Sequence, residues 1–199
     1  MEFAVVIPTP RLILREFHRE DWRRVLEYQS TPAFAKFNCW ERRNEADART
    51  FVTRFIDWQH ERPRYRYQLA AQLRGSGLMI GNCGIRGHRD LRDAEMGFEL
   101  DQNFWGHGYA TEAAAAMLDF AFSTLRLSVV HAQCVTENFA SARVMRRLGM
   151  RFERTEQAAI WMKDRWWDTD QFSITAEAWL QSPVTKVGEP MPAVARQAH

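Results

Sequence analysis

Two glycines spaced by one residue, Gly106 and Gly108, open directly into the alanine-rich run Tyr109-Ala-Thr-Glu-Ala-Ala114. Glycine lets a backbone approach a ligand closely and take angles that a side chain would forbid. A helix start adds unpaired N–H groups and the positive end of the helix dipole. Together these make a seat for a phosphate or pyrophosphate. Dinucleotide-binding folds use a similar turn, so the flanking segments must say which ligand it suits.

Those flanks carry further groups able to do chemistry. Upstream, Ala94-Glu-Met-Gly-Phe-Glu-Leu100 reads as an extended segment with carboxylates at Glu95 and Glu99. Downstream, Asn138-Phe-Ala-Ser-Ala-Arg-Val-Met-Arg-Arg-Leu-Gly-Met150 begins with a helix-capping residue and closes on a glycine stop. A nicotinamide-dependent oxidoreductase fits this layout poorly. The glycine turn lies past mid-chain, and the spacing to a ribose-binding acid is missing.

The elements that must hold these residues are legible from periodicity. Leu12–Phe17 is a first strand and residues 19–29 a short helix, which the Thr31-Pro32 step interrupts. Residues 38–44 are irregular. Residues 45–61 form an amphipathic helix with Ala48, Phe51, Val52, Phe55 and Ile56 on one face. Residues 65–73 and 78–86 form a hairpin about Gly75-Ser-Gly77. Ala94–Leu100 is another strand, followed by a helix with Ala114, Met117, Leu118, Ala121, Phe122 and Leu125 inward. Ser128–Val135 is the next strand and Asn138–Leu148 the next helix. Residues 151–156, 158–163 and 169–176 are closing strands. Residues 181–199, with three prolines beyond Gln181 and little apolar content, read as a flexible tail.

Composition bounds the class. A chain of 199 residues with 46% hydrophobic residues suits one domain with a substantial core. A formal charge of +2, with arginines scattered along the chain, gives no basic field for nucleic acid. Three cysteines, Cys39, Cys83 and Cys134, have no metal spacing and an odd count, which suits a reduced, cytoplasmic protein. No stretch approaches the roughly 20 apolar residues that cross a bilayer, and no Cys/His cluster calls for a metal.

The order of these motifs closely resembles the GNAT superfamily of acetyl-CoA-dependent N-acetyltransferases, and within it the RimJ/RimL-like branch. Pro10-Arg-Leu-Ile-Leu-Arg-Glu16 and Asp164-Arg-Trp-Trp-Asp168 are also similar to that branch. The resemblance spans residues 9–180, as a single acetyltransferase domain. It implies an α/β (α+β) fold: a mixed, mostly antiparallel sheet, splayed at the cofactor site and flanked by helices.

The resemblance also implies roles. Gly106, His107, Gly108, Tyr109, Ala110 and Thr111 wrap the pyrophosphate of acetyl-CoA, with Trp105 in the first place of the motif. Phe98, Glu99 and Leu100 pair through their backbone with the pantetheine arm, like an added strand. Asn138 binds the arm or caps its helix. Glu95 stands where some members carry the base that takes the amine's proton. Its alternative is a structural or surface carboxylate, and Glu99 and Glu137 are further candidates. Another branch places its glutamate on the following strand, where this chain has Gln133. Many relatives protonate the leaving thiolate with a tyrosine, but that position is Met145. The branch offers Ser141 instead, as a hydrogen-bond donor to sulfur or as a cap.

Cys134 has no evident histidine partner, so direct transfer is expected over a covalent route; His107 and His131 read as a loop and a sheet residue. The acceptor is a primary amine, either a protein N-terminus or a small molecule. Phe37, Trp40, Trp161, Trp166 and Trp167 border its side in relatives, although for any single tryptophan the favoured reading is that it fills core or satellite clusters, and Asp168 and Asp170 are candidates to meet a cationic amine. A homodimer is compatible with the branch. The competing reading is a non-catalytic acyl-CoA-binding or regulatory protein that kept the fold.

Overall fold

A computed structural model describes residues 4–87 and 92–182. The expected flexible tail lies outside the described residues from position 183 onward. The elements run β1 (Val6–Pro8), β2 (Leu12–Glu16), α1 (Trp22–Gln29), α2 (Pro32–Ala35), α3 (Glu45–Gln59), β3 (Arg66–Leu73), β4 (Met79–Gly87) and β5 (Asp93–Leu100). They continue with α4 (Tyr109–Asp119), β6 (Val129–Val135), α5 (Phe139–Arg147), β7 (Arg151–Met162), β8 (Arg165–Thr175) and α6 (Ala176–Gln181).

The strands form one sheet in the order β1-β2-β3-β4-β5-β6-β8-β7. Every neighbour is antiparallel except β5 and β6. Those two run parallel and pair only at Asp93–Val129, Ala94–Val130 and Glu95–His131. Beyond that point β5 stays bonded to β4 and β6 to β8. The sheet therefore opens into a V between residues 96–100 and 132–135, as the resemblance implied.

Period-two burial explains which face each strand buries. Ile85, Ala94, Met96, Val130, Ala132, Phe172 and Ile174 pack with Ala114, Met117 and Leu118 of α4, Met145 of α5 and Leu148 at its C-cap. On the opposite face, Phe17, Ala70 and Met79 pack with Val25 and Tyr28 of α1 and Ala48, Val52 and Phe55 of α3. The result is a mixed sheet between two helical layers.

Local chemistry sets the element ends. Asn44 and Asp47 form a reciprocal capping box at α3, with N–H to carboxylate or amide oxygen distances of 3.1 and 2.9 Å. Thr31 caps α2, with Pro32 at its first position. The break expected at Thr31-Pro32 is thus a change of helix.

The closing strands differ from the expectation. Residues 151–156 and 158–163 form the single strand β7, irregular between Glu156 and Ile160. Ala158 there takes φ +48°, and its N–H donates to Asp168 Oδ1 at 2.8 Å. A bulge keeps one strand continuous where alternation in the sequence breaks. Strand β8 starts at Arg165 because Lys163 and Asp164, both at positive φ, close a two-residue hairpin.

Candidate active site

The open end of the V lies toward the C-terminal ends of β5 and β6. Each of these strands leads into a helix, so the starts of α4 and α5 both fall at this mouth. Such a break between parallel strands is where open α/β sheets bind ligands.

The α4 side is the glycine turn. Gly106 and Gly108 sit at φ +80° and +82°, in the left-handed region, and Gly108 occupies the N-cap of α4. A side chain at Gly106 would meet nothing within 4 Å, so the space over the turn is open. The first helical bond runs from Glu112 N–H to the Gly108 carbonyl at 3.0 Å. The N–H groups of Tyr109, Ala110 and Thr111 precede it and have no acceptor within the helix. His107 stacks beside Tyr109 with ring centroids 6.1 Å apart. Trp105 donates its indole N–H to the Leu100 carbonyl at 2.7 Å, which ties the turn to the end of β5.

The α5 side begins at Asn138, whose side-chain oxygen accepts the Ser141 N–H at 3.1 Å. Asn138 is therefore the cap. The Ser141 hydroxyl makes no hydrogen bond among the described residues, so the capping alternative for that hydroxyl is not what the geometry favours. Met145 is 1% exposed in the core. Cys134 faces the Asn138 carbonyl at 3.9 Å. Burial, reinforced by Asp170, pushes its thiol up to about 11. Cys83 is raised by burial to about 12.

The two strand carboxylates lie in different surroundings. The Glu95 side chain is 46% exposed, with Arg86 Nη2 at 3.7 Å. It lies at the surface beside a cation. Glu99 Oε2 accepts three hydrogen bonds, from Gln29 Nε2 at 2.8 Å, Asn82 Nδ2 at 3.0 Å and the Tyr28 hydroxyl at 3.2 Å. Burial holds the Glu99 carboxyl above the usual range, although these donors and Arg43 pull the other way. Tyr28 is itself raised well above its ordinary value, by burial and then by Glu99, and so remains a donor. From its motif alone Glu99 has only a backbone role or a secondary candidacy as base. No local motif announces that α1 will reach its carboxylate.

Other candidates hold the structure in place. Trp167 is buried against Phe37, Val135 and Met162, while Trp161 and Trp166 pack edge to face on the surface. Asp168 holds the β7 bulge. Asp170 accepts from Thr155 and Thr136 at 2.8 and 3.2 Å. Gln133 accepts from Gln171 at 3.0 Å, His131 lies 3.7 Å from Asp93, and Glu137 pairs with Arg165 at 2.9 Å. Among the described residues no group of three potential metal ligands occurs, and no helix is long and apolar enough to cross a membrane.

Comparison with known proteins gives this arrangement its family. The profile of the acetyltransferase (GNAT) domain matches residues 11–151. The chain belongs to the GNAT acetyltransferase family. A Bacillus subtilis (strain 168) protein named as an uncharacterized N-acetyltransferase, YnaD, is 32% identical over 87% of this chain and 98% of its own length. A GNAT-family acetyltransferase from Bacillus anthracis superposes with a TM-score of 0.77 at 29% identity, covering 87% of this chain and 99% of that one. RimL, described as a ribosomal L7/L12 alpha-N-protein acetyltransferase in complex with coenzyme A, has the same fold. Its TM-score is 0.75 at 20% identity, over 87% and 99% of the two chains. This GNAT member is an acetyltransferase with the fold that its motifs implied.

Proposed function

We propose that this chain uses acetyl-CoA and transfers the acetyl group directly to a primary amine, either a protein N-terminus or a small amine. The observation that carries the reading is the V-shaped break with two helix starts at its mouth. The turn from Gly106 through Thr111 offers N–H groups and a helix dipole to the pyrophosphate. The edge of β5 at Phe98, Glu99 and Leu100, free of β6, suits the amides of the pantetheine arm. Asn138 orders the start of α5, and the Ser141 hydroxyl, unpartnered among the described residues, is available to a leaving sulfur.

Chemically, the amine must lose a proton before its lone pair attacks the thioester carbon. As the C–N bond forms, the carbonyl oxygen gains negative charge, which a strand-edge N–H can stabilise. The C–S bond then breaks and the electron pair leaves with sulfur, where the Ser141 hydroxyl donates. A buried thiol raised to about 11 makes Cys134 a poor nucleophile, which favours direct transfer. Glu95, exposed and beside Arg86, is the sequence's candidate for the proton.

Support for a protein N-terminus as acceptor comes from RimL, an alpha-N-protein acetyltransferase, through fold likeness alone. The same reading takes residues 9–180 as one domain, working in the cytoplasm. A homodimer remains part of it, suited by the outer edge of β7 with exposed Phe152 and Trp161. The test is release of free thiol from acetyl-CoA with a panel of short peptides bearing free α-amino groups and of small primary amines. Turnover with any member supports the reading. Binding of CoA by calorimetry without turnover favours the non-catalytic acyl-CoA-binding alternative.

A further inference from the structure

Three cross-strand pairs share the face of β4 and β5 that looks toward α1. They are Asn82 with Glu99, Gly84 with Gly97, and Arg86 with Glu95. The central pair carries no side chains, and its neighbours use the room. A methyl group at Gly97 would lie 2.7 Å from Arg86 Nη2, and one at Gly84 would lie 2.2 Å from Gln68 Oε1. The glycines thus let Arg86 lean along the strand, where it stands beside Glu95. Four residues of strand place Glu99 about 13 Å farther toward the open end of the V.

One carboxylate on this face is therefore exposed and has a cation beside it. The other is partly buried and hydrogen-bonded only to neutral donors. All three donors to Glu99 fall on Oε2, and Oε1 accepts none of them. Asn82 also donates to the Tyr28 hydroxyl at 2.9 Å and accepts from Gln68 at 2.6 Å, so the donors on Oε2 are locked in orientation. Polar groups nearby lack partners, the Arg43 Nε donor among them. Gln29, fully buried, and Gln68, 3% exposed, each keep a side-chain oxygen without a partner. A buried polar group without a partner is costly, and Arg43, whose charge reaches Glu99, makes no hydrogen bond to it. A primary ammonium brings a positive charge into direct contact with the carboxylate, together with three N–H donors.

We propose that Glu99, not Glu95, binds the acceptor's primary ammonium at Oε1 and takes its proton. The inference rests on the acetyl-transfer reading above. The balance is simple: R–NH3+ and the Glu99 carboxylate become R–NH2 and the carboxylic acid. The amine nitrogen attacks the thioester carbon, and the C–S bond breaks onto sulfur. The nitrogen's surplus proton passes to the departing thiolate, and the Glu99 proton returns to solvent. Raised by burial, Glu99 is better matched to an amine than an ordinary surface carboxylate is. The charged or titratable groups around it are Tyr28 on α1, Arg43 in the loop before α3, and Arg86 and Glu95 on the sheet, with Arg24 acting on Tyr28.

Glu99→Gln keeps the shape and an oxygen for the three donors. We expect turnover of the best peptide acceptor to fall roughly 10²–10⁴-fold, with the acidic limb of its pH profile lost and CoA affinity by calorimetry unchanged. Tyr28→Phe removes one donor that lowers the Glu99 value, so the acidic limb should move to higher pH, a shift that a purely structural role would not produce. Wild-type turnover and profile in Glu99→Gln overturn the proposal, as does loss of the acidic limb in Glu95→Gln but not in Glu99→Gln. Failure of the wild-type protein to release thiol with any amine would instead count against the acetyl-transfer reading itself.

Discussion

Arg11 and Glu112 are joined twice across the molecule. The Arg11 backbone N–H donates to Glu112 Oε1 at 2.8 Å, and its guanidinium Nε donates to Oε2 at 2.6 Å. The Thr9 hydroxyl adds a third bond to the same carboxylate at 2.6 Å. Arg11 then reaches on to the His107 carbonyl at 2.9 Å and lies 4.4 Å over the Tyr109 ring. The chain leading into β2 is thereby clamped to the first turn of α4 and to the glycine turn itself. The turn proposed as the phosphate seat is held in place before any ligand arrives, and such ordering lowers the entropic cost of binding.

The clamp should be visible in acid. Burial acts to raise the Glu112 carboxyl, but the Thr9 hydroxyl and the Arg11 N–H and guanidinium outweigh it, and the group ends below the usual range. Its contribution is therefore present above the unfolded-state value and lost as pH falls through the lowered folded value. Urea unfolding of the wild type and Glu112→Gln should differ by about 1.5–3 kcal/mol near neutral pH. The difference should close in acid. A gap that stays constant with pH would mean that the clamp is not electrostatic.

Gly108→Val should weaken CoA binding at least about tenfold in titration calorimetry, since a branched side chain would occupy the proposed phosphate seat. The residue takes φ +82°, so any side chain there also costs about 1–2 kcal/mol in a thermal or urea melt. Wild-type affinity in the folded variant would remove the phosphate-seat assignment.

Ser141 and Asn138 should separate into chemistry and stability. Ser141 serves the cap through its backbone N–H, which alanine retains. Ser141→Ala should leave unfolding free energy within about 0.5 kcal/mol while lowering kcat more than it changes the KM for acetyl-CoA. Asn138→Ala should cost about 1 kcal/mol of stability through loss of the cap. Equal kcat for Ser141→Ala and the wild type would take the leaving-group role away from this hydroxyl.

Much of the fold was legible because it follows from short-range rules. Ala48, Val52 and Phe55 recur at helical spacing and are buried together. Asn138 and Gly149 mark the ends of α5 as capping and left-handed residues should. The bulge at Ala158 and the hairpin at Lys163-Asp164 were not legible. Their positive φ angles fall on residues other than glycine and are imposed by pairing with β8.

By itself the sequence determined the order of the elements, the glycine turn, the two helix starts, and the family that these motifs imply. All of these depend on residues close together in the chain. Only the tertiary structure decided which carboxylate is the more buried. Glu95 and Glu99 are alike in the sequence, on the same face of one strand. What separates them is contact with distant segments: Arg86 beside the first, and Tyr28, Gln29 and Asn82 around the second. The ionisation of a carboxylate is set by the dielectric and donors within a few ångströms. Those neighbours come from elements up to 71 residues away in the chain.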